Sequence, residues 1–214
     1  MGETHNAYSW EKALFQKNIS LYAGALGPEL KQFHTHIGLC PEYVNARCII
    51  HDIRDGMPIP DNSVDIYQSE DVFEHIEYNV LWKIFDEIHR VLRVGGLFRL
   101  SMPDYRCDIL RNRCIYDNHG NIIFDPGGGG GFENGNVIAG GHLWFPLLED
   151  VITIYEQSQF DHQKINVLHG YIDYDKVILN TIDYSLGNIM RTPDHDSRVS
   201  DPYRPMSIVI DAYK

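Results

Sequence analysis

A chain of 214 residues, 43% hydrophobic and 22% charged, is long enough to bury the core of one α/β domain and has the composition of an ordinary globular protein. Its formal net charge of −12 argues against a nucleic-acid partner, because such affinity rests on cationic contacts with phosphates. The amino-terminal MGETHNAYSWEKALF has neither the basic start nor the apolar run of a signal peptide, and no stretch approaches bilayer-spanning length. A cytoplasmic protein with no membrane partner is therefore expected. Cys40, Cys48, Cys107 and Cys114 lack C-x-x-C spacing and read as reduced, mostly buried thiols.

Along the chain, unbroken apolar runs alternate with helical periodicity, the pattern of β-α-β units around a parallel sheet. Strands are predicted at 19–26 (ISLYAGAL), 34–39 (HTHIGL), 48–53 (CIIHDI), 64–70 (VDIYQSE) and 97–102 (LFRLSM). Between the last two, Val80, Leu81, Ile84, Phe85, Ile88, Val91 and Leu92 follow helical spacing and predict a helix stopped at Gly95-Gly96. Residues 115–142 change character: an N-H-G turn between short apolar runs predicts a hairpin, and five consecutive glycines predict a flexible loop, either a lid or a solvated surface segment. No G-K-[ST] follows the glycines, which excludes a P-loop. A helix over 145–160 and strands at 164–172 and 207–214 complete a single domain spanning 1–214, with 115–142 as a glycine-rich insertion.

HDIRDGMPIPDNSVDIYQSEDVFEHI (51–76), followed by DEIHRVLRVGGLFRLSMPD (86–104), resembles the middle of class I S-adenosylmethionine (AdoMet)-dependent methyltransferases. Within them it is similar to a small branch associated with polysaccharide and glycan synthesis. The features shared are an acid after the third strand, a P-x-P-D-N-S turn, a strand ending near E-H, and a helix closing with R-V-L-x-x-G-G. The carboxyl-terminal TPDHDSRVSDPYRPMSIVIDAYK (192–214) also resembles that branch, including forms encoded by large algae-infecting viruses, for which the location would be the host cytoplasm. The resemblance implies an α/β, Rossmann-like fold: a mostly parallel sheet of about seven strands, the last antiparallel, with helices on both faces.

It also implies AdoMet as cofactor, held beyond the carboxyl ends of the strands. Ala23, Gly24 and Gly27 occupy the family's G-x-G turn, with Leu26 where a second glycine is usual. Asp52 corresponds to the acid facing the adenine amino group, with the Ile53 backbone beside it, and Gln68, Ser69 and Glu70 line the methionine and methyl side. The acid that normally holds the ribose falls near Gly38, leaving Glu42 as a substitute.

A hydroxyl acceptor requires a base or a metal ion. His142, between a glycine pair and Leu143-Trp144-Phe145, is the leading candidate base. His75, next to Glu74, is the second, with capping or packing as its alternative. Asp104 either orients a base or caps a helix. Arg106, Asp194, His195 and Arg198 are candidate acceptor-binding residues; Arg106, Arg111, Arg113, Arg191, Arg198 and Arg204 are candidate holders of a nucleotide-sugar diphosphate, or simply ion-paired. The same acids and histidines are candidate ligands of a divalent cation, magnesium or manganese. The expected reaction is O-methylation of a sugar, nucleotide-sugar or glycan acceptor, by a monomer or homodimer. The rivals are an amine or metabolite acceptor and a non-catalytic partner of a glycosyltransferase.

Overall fold

The computed structural model describes residues 8–26, 35–42 and 45–214. Its main sheet comprises β1 (Ser20–Ala23), β2 (His36–Cys40), β3 (Cys48–Ile50), β4 (Val64–Glu70), β5 (Leu92–Pro103), β10 (Asn166–Tyr171), β11 (Val177–Leu179) and β12 (Ser207–Tyr213). Their order is β11-β10-β12-β5-β4-β1-β2-β3. The pairs from β3 through β5 are parallel, while β12 is antiparallel to both β5 and β10, and β11 is antiparallel to β10. The expected α/β class and reversed last strand are both present. β11, which the sequence reading omitted, brings the sheet to eight.

One face of the sheet is apolar and takes the two longer helices. On α2 (Leu81–Val91) the buried positions are Leu81, Ile84, Phe85, Ile88 and Val91, the stripe that periodicity predicts; on α4 (Leu148–Gln157) they are Leu148, Val151, Ile154 and Tyr155. Phe98 of β5 meets Phe85 and Tyr155 with ring centroids 5.0 and 6.1 Å apart. The helix does not run to the glycine pair. Leu92 turns extended and pairs with Val64, so β5 begins there, and Gly95 (φ +77°) falls within a register shift between the two strands. Two shorter helices, α1 (Trp10–Leu14) and α3 (Asp108–Arg111), lie outside this pair.

The other face is polar at its centre. Gln68, Arg99 and Asp211 stand side by side across β4, β5 and β12, all buried. The Arg99 guanidinium pairs with both Asp211 oxygens at 2.8 and 2.7 Å and donates to the carbonyls of Asp183 and Gly187 at 2.7 and 2.6 Å. Gln68 donates to the Asn188 carbonyl at 2.6 Å. Among the described residues the 180–199 segment lies on this face, where its Ile182 and Ile189 pack on Leu168 and Val209.

Residues 115–141 form two small hairpins. β6 (Ile115–Tyr116) pairs with β7 (Ile122–Phe124), as predicted, and β8 (Gly131–Glu133) pairs with β9 (Asn136–Ile138) where a flexible loop was expected. No helix among the described residues is long and apolar enough to cross a membrane, and all four cysteines are free.

Removing one partner of a buried ion pair strands the other charge in a dry interior. Asp211→Ala is therefore expected to lower unfolding free energy by about 3–5 kcal/mol in urea titrations. A loss below 1 kcal/mol would remove Arg99 from its place as the fastener of this face.

Candidate active site

The carboxyl ends of the parallel strands converge on a cavity of about 260 Å³. Gly24 follows β1, Leu39 and Pro41 flank the end of β2, Asp52 and Ile53 follow β3, and Asp71, Val72 and His75 follow β4. A larger cavity, about 720 Å³, lies among Ser20, Thr35, Asp65 and Leu97 at the opposite ends of the strands, and no histidine lines it among the described residues. The smaller one holds the groups that carry chemistry.

Gly24 adopts φ +104°, a backbone region costly for other residues, and donates its N–H to Leu39 across the sheet at 2.8 Å. Asp52 reaches the cavity with its carboxylate paired to Arg54 at 2.6 Å, which holds its pKa below the usual range. Other expected cofactor residues stand behind the wall. Ala23 is buried within β1, and Gly38 lies in β2, where a Cβ would come within 2.8 Å of both Cys48 Sγ and the Gly24 carbonyl. That glycine serves the close approach of two chain segments. Gln68 is spent on Asn188, Ser69 is buried, and Glu70 accepts the amides of Met190 and Arg191 at 2.8 and 2.9 Å. The lining falls on the next two residues, Asp71 and Val72, because the strand continues to Glu70 before the chain turns into the cavity. Glu42 is exposed and not part of the wall, and Gly27 lies outside the described residues.

Past β4 the chain forms a short turn, Phe73–His75, that buries Glu74 completely. Residues 142–144 run alongside it: the Leu143 amide donates to the Glu74 carbonyl at 2.8 Å, and Trp144 Nε1 donates to the Phe73 carbonyl at 3.1 Å. The two predicted histidines are thereby brought together, with ring centroids 4.6 Å apart. Glu74 Oε1 lies 3.6 Å from His142 Nε2 and 4.0 Å from His75 Nε2.

Each histidine is oriented through its other nitrogen. His75 Nδ1 is 2.8 Å from the Gly140 carbonyl, which accepts and so places the proton on Nδ1. Tyr105 donates its hydroxyl proton to Asp125 at 2.6 Å, leaving its oxygen to accept from His142 Nδ1 at 2.5 Å. Asp125 in turn holds Arg113 at 2.7 and 2.6 Å. Burial opposes the Asp125 charge, but the hydrogen bonds from Arg113 and Tyr105 keep its pKa below the ordinary value. Both Nε2 atoms thus present lone pairs toward Glu74. Burial, aided by the neighbouring His75, pushes His142 down to about 4, and burial with the nearby Asp71 raises Glu74 well above a normal carboxyl.

The glycine run belongs to this construction. A Cβ on Gly128 would come within 2.7 Å of the His142 ring, and one on Gly127 would strike the Arg113 guanidinium. Bare backbone is laid against both side chains.

The remaining expected residues are fasteners. Asp104 is buried and accepts the amides of Arg106 and Tyr171 at 3.0 and 2.7 Å; burial raises its pKa to about 6. Its carboxylate is occupied by the chain, but it is not the helix cap expected as the alternative: the N-cap of α3 is Cys107. Arg106 pairs with Glu149, Arg198 with Asp196 and Arg204 with Asp108, while Arg111 lies over the Tyr174 ring. Asp194 accepts the hydroxyls of Tyr184 and Tyr203, both at 2.7 Å, and His195 Nδ1 lies 2.7 Å from the Ile189 carbonyl. Arg191 alone among these arginines reaches the cavity wall, pairing with Asp71 at 2.8 Å. Sequence reasoning missed Tyr105 and Asp125, which carry no motif, and Asp71, which lies one residue past the predicted strand end.

Residues 24–100 match the family described as a methyltransferase domain. No curated protein matches the sequence. Among solved structures, the chain is similar to an AdoMet-dependent methyltransferase from Methanosarcina mazei (13% identity, 98% of each chain covered, TM-score 0.53). It is also similar to one from Mesorhizobium loti (14% identity, 92% of this chain and 90% of the other, TM-score 0.51). A third, from Archaeoglobus fulgidus, is 12% identical over 94% of this chain and 88% of its own, with a TM-score of 0.52. At such identities the likeness is one of fold. The cavity beside Gly24 is the candidate site for AdoMet. A side chain there is strained by the positive φ and reaches Val72 Cγ2 at 3.4 Å, so Gly24→Val is expected to weaken AdoMet binding by about tenfold or more in calorimetry. Residues 24–100 match the methyltransferase-domain model, and the chain follows the Rossmann-like fold of these methyltransferase structures.

Proposed function

We propose that the protein transfers the methyl group of AdoMet to a hydroxyl of a sugar, free, nucleotide-linked or within a glycan. The observation that carries this reading is the position of His75, which lines the cofactor cavity and also meets His142 and Glu74. With AdoMet along Gly24, Asp52 and Ile53, the sulfonium methyl faces the end of β4, where that cluster begins. Methyl transfer is an in-line displacement: the acceptor oxygen forms a bond to the methyl carbon as the carbon–sulfur bond breaks, leaving S-adenosylhomocysteine. Positioning supplies much of the rate, but a sugar hydroxyl must also lose its proton.

A set of buried nitrogen and carboxylate groups beside the methyl side suits an oxygen nucleophile better than a neutral amine, which needs no base. The sugar class itself rests on the resemblance of the P-x-P-D-N-S turn and the carboxyl-terminal segment to glycan-associated enzymes. Asp104, Arg106, Asp194, His195 and Arg198 act in this reading by holding the loops around the acceptor side, and Arg191 is the cation placed to meet an acceptor.

The test is transfer of label from AdoMet to a panel of sugars, nucleotide sugars, amines and small metabolites. Transfer to a sugar is expected, with His75→Ala lowering kcat by about 100-fold or more. Transfer confined to non-sugar acceptors would overturn the acceptor assignment, and full activity of His75→Ala on a sugar would overturn the role of the cluster.

A further inference from the structure

Glu74 poses a problem that the hydrogen-bond network does not solve. Its side chain has no exposure, and neither carboxylate oxygen has a hydrogen-bond partner. Burying a carboxyl group without partners is costly unless a cation or donor meets it. The two groups aimed at it are not donors, since His75 and His142 use their Nδ1–H toward Gly140 and Tyr105 and turn Nε2 lone pairs inward. At 3.6 and 4.0 Å, the Nε2 to Oε1 separations are too long for hydrogen bonds.

These features fit a metal ion. One ligand atom from each of Glu74, His75 and His142 lies within 4.8 Å of the others. Bonds of about 2.0–2.2 Å in tetrahedral directions put ligand atoms about 3.3–3.6 Å apart, and the Nε2 to Oε1 separations of 3.6 and 4.0 Å lie close to that spacing. The surroundings are also those of a metal centre. Ligating histidines donate their second N–H to a carbonyl or a carboxylate-backed group, here the Gly140 carbonyl and the Tyr105–Asp125–Arg113 chain.

We infer that Glu74, His75 and His142 form a binding site for one divalent transition-metal ion, with a coordination position left open toward the cofactor cavity. Two imidazoles and one carboxylate favour zinc, cobalt, manganese or iron(II) over magnesium, which prefers an all-oxygen shell. Three protein ligands are the number found in sites that keep a position for water or substrate. The site stands on its donors alone. Its part in methyl transfer rests on the function proposed above: the acceptor hydroxyl binds the open position, the ion acidifies it, its proton passes to solvent, and the resulting alkoxide attacks the methyl carbon.

The experiment is titration of the chelator-stripped protein with cobalt(II), read by visible absorption, with AdoMet calorimetry on the same sample. One equivalent of cobalt with the intense bands of a four- or five-coordinate site is expected, displaced by zinc. His142→Ala and Glu74→Gln should abolish the bands, and Tyr105→Phe should weaken binding by about 10-fold or more through loss of the group that orients His142. Wild-type protein that shows no such bands, or variants that retain them, would overturn the site. The wild-type titration decides the matter even if a variant fails to fold. AdoMet binding without cobalt binding would sink the metal site alone. Cobalt binding without AdoMet binding would sink the methyltransferase reading and leave the site standing.

Discussion

The guanidinium of Arg99, buried on the polar face of the sheet, is the constraint from which the course of the 183–191 segment follows. It pairs with Asp211 on the neighbouring strand through two of its five N–H groups, and two more donate to the carbonyls of Asp183 and Gly187. That segment is thereby drawn across the face, and the chain leaving it meets Gln68 and then Glu70 at successive positions of β4. One residue past the strand, Asp71 at the cavity wall pairs with Arg191. A core ion pair and a group at the mouth of the site are thus linked by one run of hydrogen bonds. A dry helix-packed face would have given no such handle on the loop.

Much of the fold was legible because hydrophobic periodicity is a physical demand of the sheet and of α2. The boundary at Gly95-Gly96 was not, because a glycine pair serves a helix stop and a strand irregularity equally well, and only pairing of Leu92 with Val64 decides between them. The same ambiguity runs through the site. Gly24, Asp52 and Ile53 were readable from their places after strands. Gln68, Ser69 and Glu70 were displaced from the wall because their side chains are consumed by the sheet faces and by the 188–191 segment, a partner 120 residues away in sequence. Asp104 and Asp194 looked chemical, yet aspartates that tie amides and hydroxyls in turns have the same sequence signature as aspartates that bind substrates. Glu74 and His75 were visible as neighbours, but their meeting with His142 depends on two intervening hairpins and on Tyr105, which nothing in the sequence marks.

The two halves of the site differ in their electrostatic character. Around the cavity beyond the strand ends, charge is settled in single pairs, as in Asp52 with Arg54 and Asp71 with Arg191. Around His142 it is arranged in series, from Arg113 through Asp125 and Tyr105 to the imidazole, with Glu74 at the far end lacking a partner. A series of this kind fixes tautomers as well as positions, and therefore dictates which lone pairs face the interior. The protein invests its buried polarity in directing two nitrogen atoms toward one carboxylate.

The five consecutive glycines give this arrangement a thermodynamic sensitivity. Glycine loses more backbone freedom on ordering than any other residue, so the β8–β9 hairpin is held in place against an unusually large entropic pull. Its anchors include the Gly127 and Gly128 backbone laid against Arg113 and His142, the Gly140 carbonyl that accepts from His75, and the stack of Phe132 on Phe124. Any ligand that fixes the two imidazoles therefore also orders the hairpin, and release of that ligand loosens it. Amide protons between 127 and 141 would exchange at a rate set by the occupancy of the site, making this segment a reporter built into the backbone.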